Sequence, residues 1–220
     1  DRLYITVTLR GRDMVATRMP ANERKALMLE AAVRVFARVG YAAATTDSIA
    51  REASVSQAYV VRFFRSKETL FEEAATHVVE QLCQRFVEAP VPPDASEFER
   101  RQALGDMYAE IVRDRDTFMM IVRLFMMGSD PRFGQLARES FARVYRLLRD
   151  EGGMDSAQAR LFLSHGLLIN LVLSLRLWEG EKELSDEILE FLGDGRVESI
   201  YLLHEGDTLP GEGTPTARRP

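Results

Sequence analysis

The stretch "SVSQAYVVRFFRSKETLF", residues 54–71, interleaves apolar, aromatic and basic residues within two helical turns and then starts again at a serine. Ser56 suits the cap of a short helix that turns Val60, Val61 and Phe64 inward. Ser66, with Glu68 just after it, suits the cap of the next helix. Upstream, Thr46 precedes Asp47, Ser48, Ile49 and Ala50, so a hydroxyl cap opens a helix that runs out near Ala53. Residues 54–56 are too few for anything but a tight turn, and small Ala50 and Ala53 stand where two helices must approach. Helix, turn, helix over residues 45–64 is the helix-turn-helix arrangement. Its second helix must offer Gln57, Ala58, Tyr59 and Arg62 to solvent. Such a rod fits the major groove of B-form DNA, where glutamine matches adenine's donor and acceptor and small or aromatic side chains meet thymine methyls.

Working outward, Leu29, Ala32, Val33, Phe36, Ala37 and Gly40 recur at helical spacing, with Asn22 suited to cap the start and Gly40 to end the helix. Leu70, Phe71, Ala74, Ala75, Val78 and Leu82 form the stripe of the helix that Ser66 opens. "APVPPDAS", residues 89–96, cannot continue a helix, and a boundary is placed there. Helical periods return at 97–113, 116–128, 131–150, 156–179 and 184–192, with Asp130-Pro131 suited to cap and first position. No strand pattern survives past residue 21, so the fold class is all-α. The expected organisation is a loose arm over 1–21, a helix-turn-helix domain over 22–82, a helical domain over 97–205 and a disordered tail over 206–220.

Residues 159–178 are apolar on every side, yet Arg160, Ser164, His165, Asn170, Ser174 and Arg176 interrupt them. The unbroken runs fall far short of the roughly 18 residues a bilayer span needs, so no membrane partner is expected. Such a helix buries two sides, one of them against a second copy of the chain. The single cysteine, Cys83, allows no internal disulfide, and no secretion signal is visible, which suits a cytoplasmic protein. Net charge is −5, but residues 1–70 carry 12 basic against 7 acidic residues while the rest carry 17 against 27. A basic head on an acidic body suits one end meeting a polyanion.

Four fragments in order, "FARVGY" at the end of the first helix, then "TTDSIA", "VSQAYVVRFF" and "SKETL", resemble the TetR family of bacterial repressors across residues 22 to 82. The resemblance implies that Thr46 and Lys67 touch phosphates and that Gln57, Ala58 and Tyr59 face base edges. With Thr45 and Arg62 these make the expected DNA-binding set. Ser54 and Ala58 stand where the family commonly has glycine, and Val61 where a tyrosine usually reaches the DNA backbone. The resemblance further implies a homodimer on a pseudo-palindromic operator and a small effector held by the C-terminal helices.

"FMMIVRLFMMG", residues 118–128, packs four methionines and two phenylalanines into eleven positions, and methionine yields to irregular apolar shapes. A neutral, lipophilic effector is therefore expected to meet Met107, Phe118, Met119, Phe125 and Met126, with His165 and Asn170 as polar anchors. The alternatives are that the Met and Phe residues are core fillers, or that the C-terminal helices serve only dimerisation. No P-loop, dinucleotide fingerprint, nucleophile elbow or metal-ligand spacing occurs, so no catalytic residue, metal or cofactor is expected.

Overall fold

The computed structural model describes residues 20–89, 91–92, 94–175, 183 and 187–188. Among them lie eight α-helices and no strand: α1 (Ala21–Ala43), α2 (Thr46–Glu52), α3 (Gln57–Phe64), α4 (Lys67–Val87), α5 (Glu97–Arg113), α6 (Arg115–Phe125), α7 (Gly134–Asp150) and α8 (Ser156–Leu175). Of the expected helix over 184–192 only residues 187–188 are described, and the end of that over 156–179 falls outside the described residues. The chain forms two compact units, Asp1–Arg160 and Leu161–Pro220. The proline-rich segment is therefore a connector inside the first unit rather than its border, because α5, α6 and α7 pack on α1 and α4.

The first unit is organised around α1, whose buried face carries Met28, Leu29, Ala32, Val33, Phe36 and Ala37 and rests chiefly on α6 and α4. All six apolar positions foreseen on α4 are buried. Gly40 ends the regular part of α1 with φ 74° and ψ 170°, a region that only glycine enters without strain. The carbonyls exposed at that end meet two cations from elsewhere in the chain. Lys67, the first residue of α4, donates through Nζ to the carbonyls of Tyr41 at 2.9 Å, Ala42 at 3.4 Å and Ala44 at 2.9 Å. Arg123 of α6 donates through Nε to Ala37 at 2.9 Å and through Nη2 to Arg38 at 3.4 Å. Positive groups at a helix C-terminus satisfy carbonyls that have no partner within the helix and oppose its dipole.

An aromatic cluster locks the same corner. Phe133, fully buried, sits 4.8 Å from Tyr41 and 4.6 Å from Phe71 between ring centroids, and Phe71 meets Phe36 edge-on at 5.1 Å. Asp130 does not cap a helix beginning at Pro131. Its carboxylate accepts from the backbone N–H groups of Arg132 and Phe133 at 2.8 and 3.3 Å, making a side-chain turn that aims Phe133 at the cluster and delays α7 to Gly134. Arg132 lies over the Tyr41 ring at 4.7 Å.

Two other boundaries differ from the sequence reading. Asn22 lies inside the first turn of α1, behind Pro20, and does not cap it. α6 stops at Phe125, short of Gly128.

Two outcomes follow from this corner. Gly40→Ala forces a side chain into a glycine-only conformation and sets Cβ 3.0 Å from Arg123 Nη1, so urea denaturation should show a loss of about 1–3 kcal/mol; unchanged stability would contradict the assignment. Lys67→Met keeps the aliphatic stem but removes three charge-assisted bonds, and the same titration should register a loss of about 1.5–3 kcal/mol.

Candidate nucleic-acid interface

The interface is built from the beginnings of α2 and α3. Thr45, in an extended conformation at φ −130° and ψ 155°, is the cap of α2. Its Oγ1 accepts from the Ser48 N–H at 3.0 Å, while the Thr45 N–H donates to Ser48 Oγ at 3.1 Å, closing a reciprocal capping box. Thr46 is thereby the first helical residue instead of the cap. This frees its hydroxyl, and Gln57 Nε2 donates to Thr46 Oγ1 at 2.9 Å across the turn.

Between the helices, Ser54 takes φ 54°. A left-handed conformation costs a non-glycine residue on the order of 1 kcal/mol, which accounts for glycine being common at this place in the resembling family. The Val55 N–H then donates to Ala50 at 2.9 Å and closes the turn. Ser56 precedes α3 but makes no side-chain cap bond. Its carbonyl receives Tyr59 at 3.0 Å and Val60 at 3.3 Å.

α3 buries Val60 and Phe64 completely or nearly so. Its exposed residues are Gln57, Ala58, Val61, Arg62 and, at the C-cap, Arg65. Spacing of i, i+1, i+4, i+5 and i+8 makes these one continuous stripe. Val61, expected inward, is 41% exposed. Tyr59 departs the other way. It is half-buried, its ring 5.1 Å from Phe63 and covered by the Arg24 guanidinium at 5.4 Å, because i+2 from Gln57 points round the helix toward α1. The helical period counted from Gln57, rather than simple adjacency, was the signal that would have placed Val61 and Arg65 on the outer stripe.

Charge at this surface is arranged so that acids are paired. Asp47 accepts from Arg51 one turn later at 2.8 Å. Glu52 receives Arg34 at 2.7 Å and also Arg38, tying α2 to α1, and these hydrogen bonds hold its carboxyl below the ordinary range. Asp116 on α6 is pushed upward by burial, with Arg38 and Arg34 partly opposing. Arg62 and Arg65 form no ion pair described in the structure and face outward. Lys67 does not join them, since all three N–H donors of its ammonium are directed at carbonyls.

The residues expected to hold an effector are dispersed. Phe118 is buried beside Met120, Ile121 and Leu124 on the core face of α6, whereas Met126 is 68% exposed at its end. Met107, Met119 and Phe125 are half-buried, and Phe125 meets Phe141 edge-on at 5.6 Å. His165, half-buried, belongs to the second unit, and the Asn170 side chain lies outside the described residues. A cleft of about 660 Å³ between α4 and α7 is lined by His77, Gln81, Cys83, Gln84, Arg143 and Leu147 among others. A smaller one of about 170 Å³ is lined by Phe86, Leu104, Leu148 and neighbours. Neither cleft includes any of the expected effector residues. Arg123 is turned away toward the end of α1. Burial pushes the Cys83 thiol up, and no group of three or more His, Cys, Asp or Glu among the described residues is placed to hold a metal ion. No helix among them is long and apolar enough to cross a membrane.

Residues 28–74 match the family model described as bacterial regulatory proteins, tetR family. The chain is similar to the HTH-type transcriptional regulator YhgD of Bacillus subtilis (strain 168), with 32% identity over 108 residues, 49% of this chain and 54% of YhgD. The alignment thus spans about half the length of that relative. It is also similar to the HTH-type transcriptional activator FasR of Mycolicibacterium smegmatis, 27% identical over 76% of this chain and 78% of FasR. Among solved structures, a TetR family member (SCO1917) from Streptomyces coelicolor A3 shares 23% identity and a TM-score of 0.58 over 77% of this chain and 98% of its own. The multidrug binding protein EbrR, complexed with imidazole, shares 21% identity and a TM-score of 0.51 over 77% and 89%. These last two likenesses establish a common helical fold. The order of the first four helices, the geometry of their turn and the family match over residues 28–74 make this part of the chain similar to the DNA-binding region of the tetR family of bacterial regulatory proteins.

Proposed function

We propose that the protein is a homodimeric transcriptional regulator that places α3 of each subunit in the DNA major groove and leaves its operator when a small lipophilic effector binds the C-terminal helices. The observation that carries the DNA reading is the outer stripe of α3: an amide, a methyl and an isopropyl group flanked by two exposed arginines with no ion pair among the described residues, on a helix whose other face is sealed. Gln57, Ala58 and Val61 then meet base edges, while Arg62, Arg65, Thr45 and Thr46 meet phosphates. Tyr59 sits at the rim of the contact, and Lys67 contributes charge from behind rather than a hydrogen bond of its own.

The dimer rests on α8, which exposes Leu161, Leu167, Leu171 and Leu175, each between 56% and 62%. Four exposed leucines on one helix are more apolar surface than a monomer leaves in water without purpose. Two recognition helices must stand about 34 to 36 Å apart to enter successive major grooves of a pseudo-palindrome. A shift of α6, through Arg123 and the end of α1, would alter that spacing. A coupling of about 1–3 kcal/mol gives a 5- to 150-fold loss of operator affinity. The effector would act at Met107, Phe118, Met119 and Phe125 on α5 and α6; EbrR's description as a multidrug binding protein is in keeping with such a ligand. FasR is described as an activator, and the same docking would serve activation if the operator lay upstream of a promoter.

The experiment is a footprint at fixed salt on DNA flanking the gene, with wild type and Gln57→Ala. A protected pseudo-palindrome whose preference relaxes at one base per half-site is expected for the variant; absence of any protected sequence would sink the proposal. Leu171→Glu should convert the dimer to a monomer in sedimentation velocity and abolish footprinting without unfolding the protein.

A further inference from the structure

The Gln57–Thr46 hydrogen bond does more than join two helices. A glutamine amide has two N–H donors and one carbonyl acceptor, and alone it presents these to a base edge in either order. Here Nε2 gives one N–H to Thr46 Oγ1 at 2.9 Å. What remains for a partner is one N–H and the carbonyl, side by side. Adenine offers N7 as acceptor and N6–H as donor, the complement of that pair, whereas guanine offers two acceptors, N7 and O6. Thr46 is itself well held. It follows directly on the Thr45–Ser48 capping box, so its hydroxyl stands on a turn held by two reciprocal side-chain hydrogen bonds.

We propose that Thr46 is a positioning residue for base recognition: it orients the Gln57 amide so that α3 reads adenine and rejects guanine. This deepens, and rests on, the reading of α3 as the groove-entering helix. Thr46 would then act on specificity through Gln57, in contrast to a residue that only touches a phosphate and carries no sequence information.

The test is selection from a randomised duplex library, and affinity for the selected sequence and its single-base variants at one salt concentration. The proteins are full-length wild type, Thr46→Val, Thr46→Ser and Gln57→Ala, with Thr46→Val/Gln57→Ala as the double variant. Wild type should favour adenine at one position in each half-site by about 5- to 150-fold, the range of a good bidentate contact. Thr46→Val, nearly isosteric but unable to accept, should lose most of that preference at this position alone. Thr46→Ser should restore it, and in the Gln57→Ala background Thr46→Val should change base preference no further. The idea is overturned if Thr46→Val weakens all sequences by one common factor and keeps the adenine preference, or if wild type selects guanine there. The latter would mean that the hydroxyl donates to Oε1 and leaves both N–H groups outward. Binding with no Gln57-dependent position at all would instead remove the groove-entering reading beneath it. Melting curves for each variant establish that the comparison is between folded proteins.

Discussion

The end of α1 is the point on which the remainder of the molecule leans. A helix terminus leaves carbonyls without partners, and here they are answered by cations from two other helices, Lys67 on α4 and Arg123 on α6. Gly40 makes this possible by turning the chain through a conformation closed to other residues. α2 leaves directly from this corner, so the cations that satisfy α1 also set where the helix-turn-helix begins. The aromatic cluster of Phe36, Tyr41, Phe71 and Phe133 fills the space beneath it. The DNA-facing helices and the α6–α7 region are consequently one packed body rather than two modules on a hinge.

That arrangement gives the proposed regulation a physical path. α6 packs on α1 more extensively than any other described helix does, and its Arg123 holds backbone atoms of α1 directly. Arg34 and Arg38 face Glu52 on α2 while also lying near Asp116 on α6. A displacement of α6 would therefore be felt at α2 through both backbone and charge. Such coupling needs only the free energy of a few hydrogen bonds, since a factor of ten in affinity corresponds to about 1.4 kcal/mol.

Much of this was legible in the chain because the signals are local. Ser66 as a cap, Gly40 as a terminator and the stripes of α1 and α4 depend on residues within a few positions of one another. The single-residue error at α2 arose because Thr45 and Thr46 carry the same hydroxyl, and only the extended backbone of Thr45 decides which one caps. Val61 was misassigned because valine suits a core, yet α3 has just eight residues and Val60 with Phe64 already closes its inner face. The hydrogen bonds of Lys67 and Arg123 were illegible for a different reason: their partners lie 23 to 26 and 85 to 86 positions away. No periodicity carries contacts of that range. The methionines of α6 illustrate the same point, since the pattern shows an apolar helix but not which of its sides meets α1.

The central claim is that the outer stripe of α3 reads bases in the major groove through Gln57. Replacing each adenine of a selected operator in turn by 7-deazaadenine removes only the N7 acceptor on the groove edge, and affinity can be measured at each position. The account predicts a loss of binding at one adenine in each half-site for wild type and none at that position for Gln57→Ala. An unchanged affinity at every adenine, or the same loss in both proteins, would contradict it.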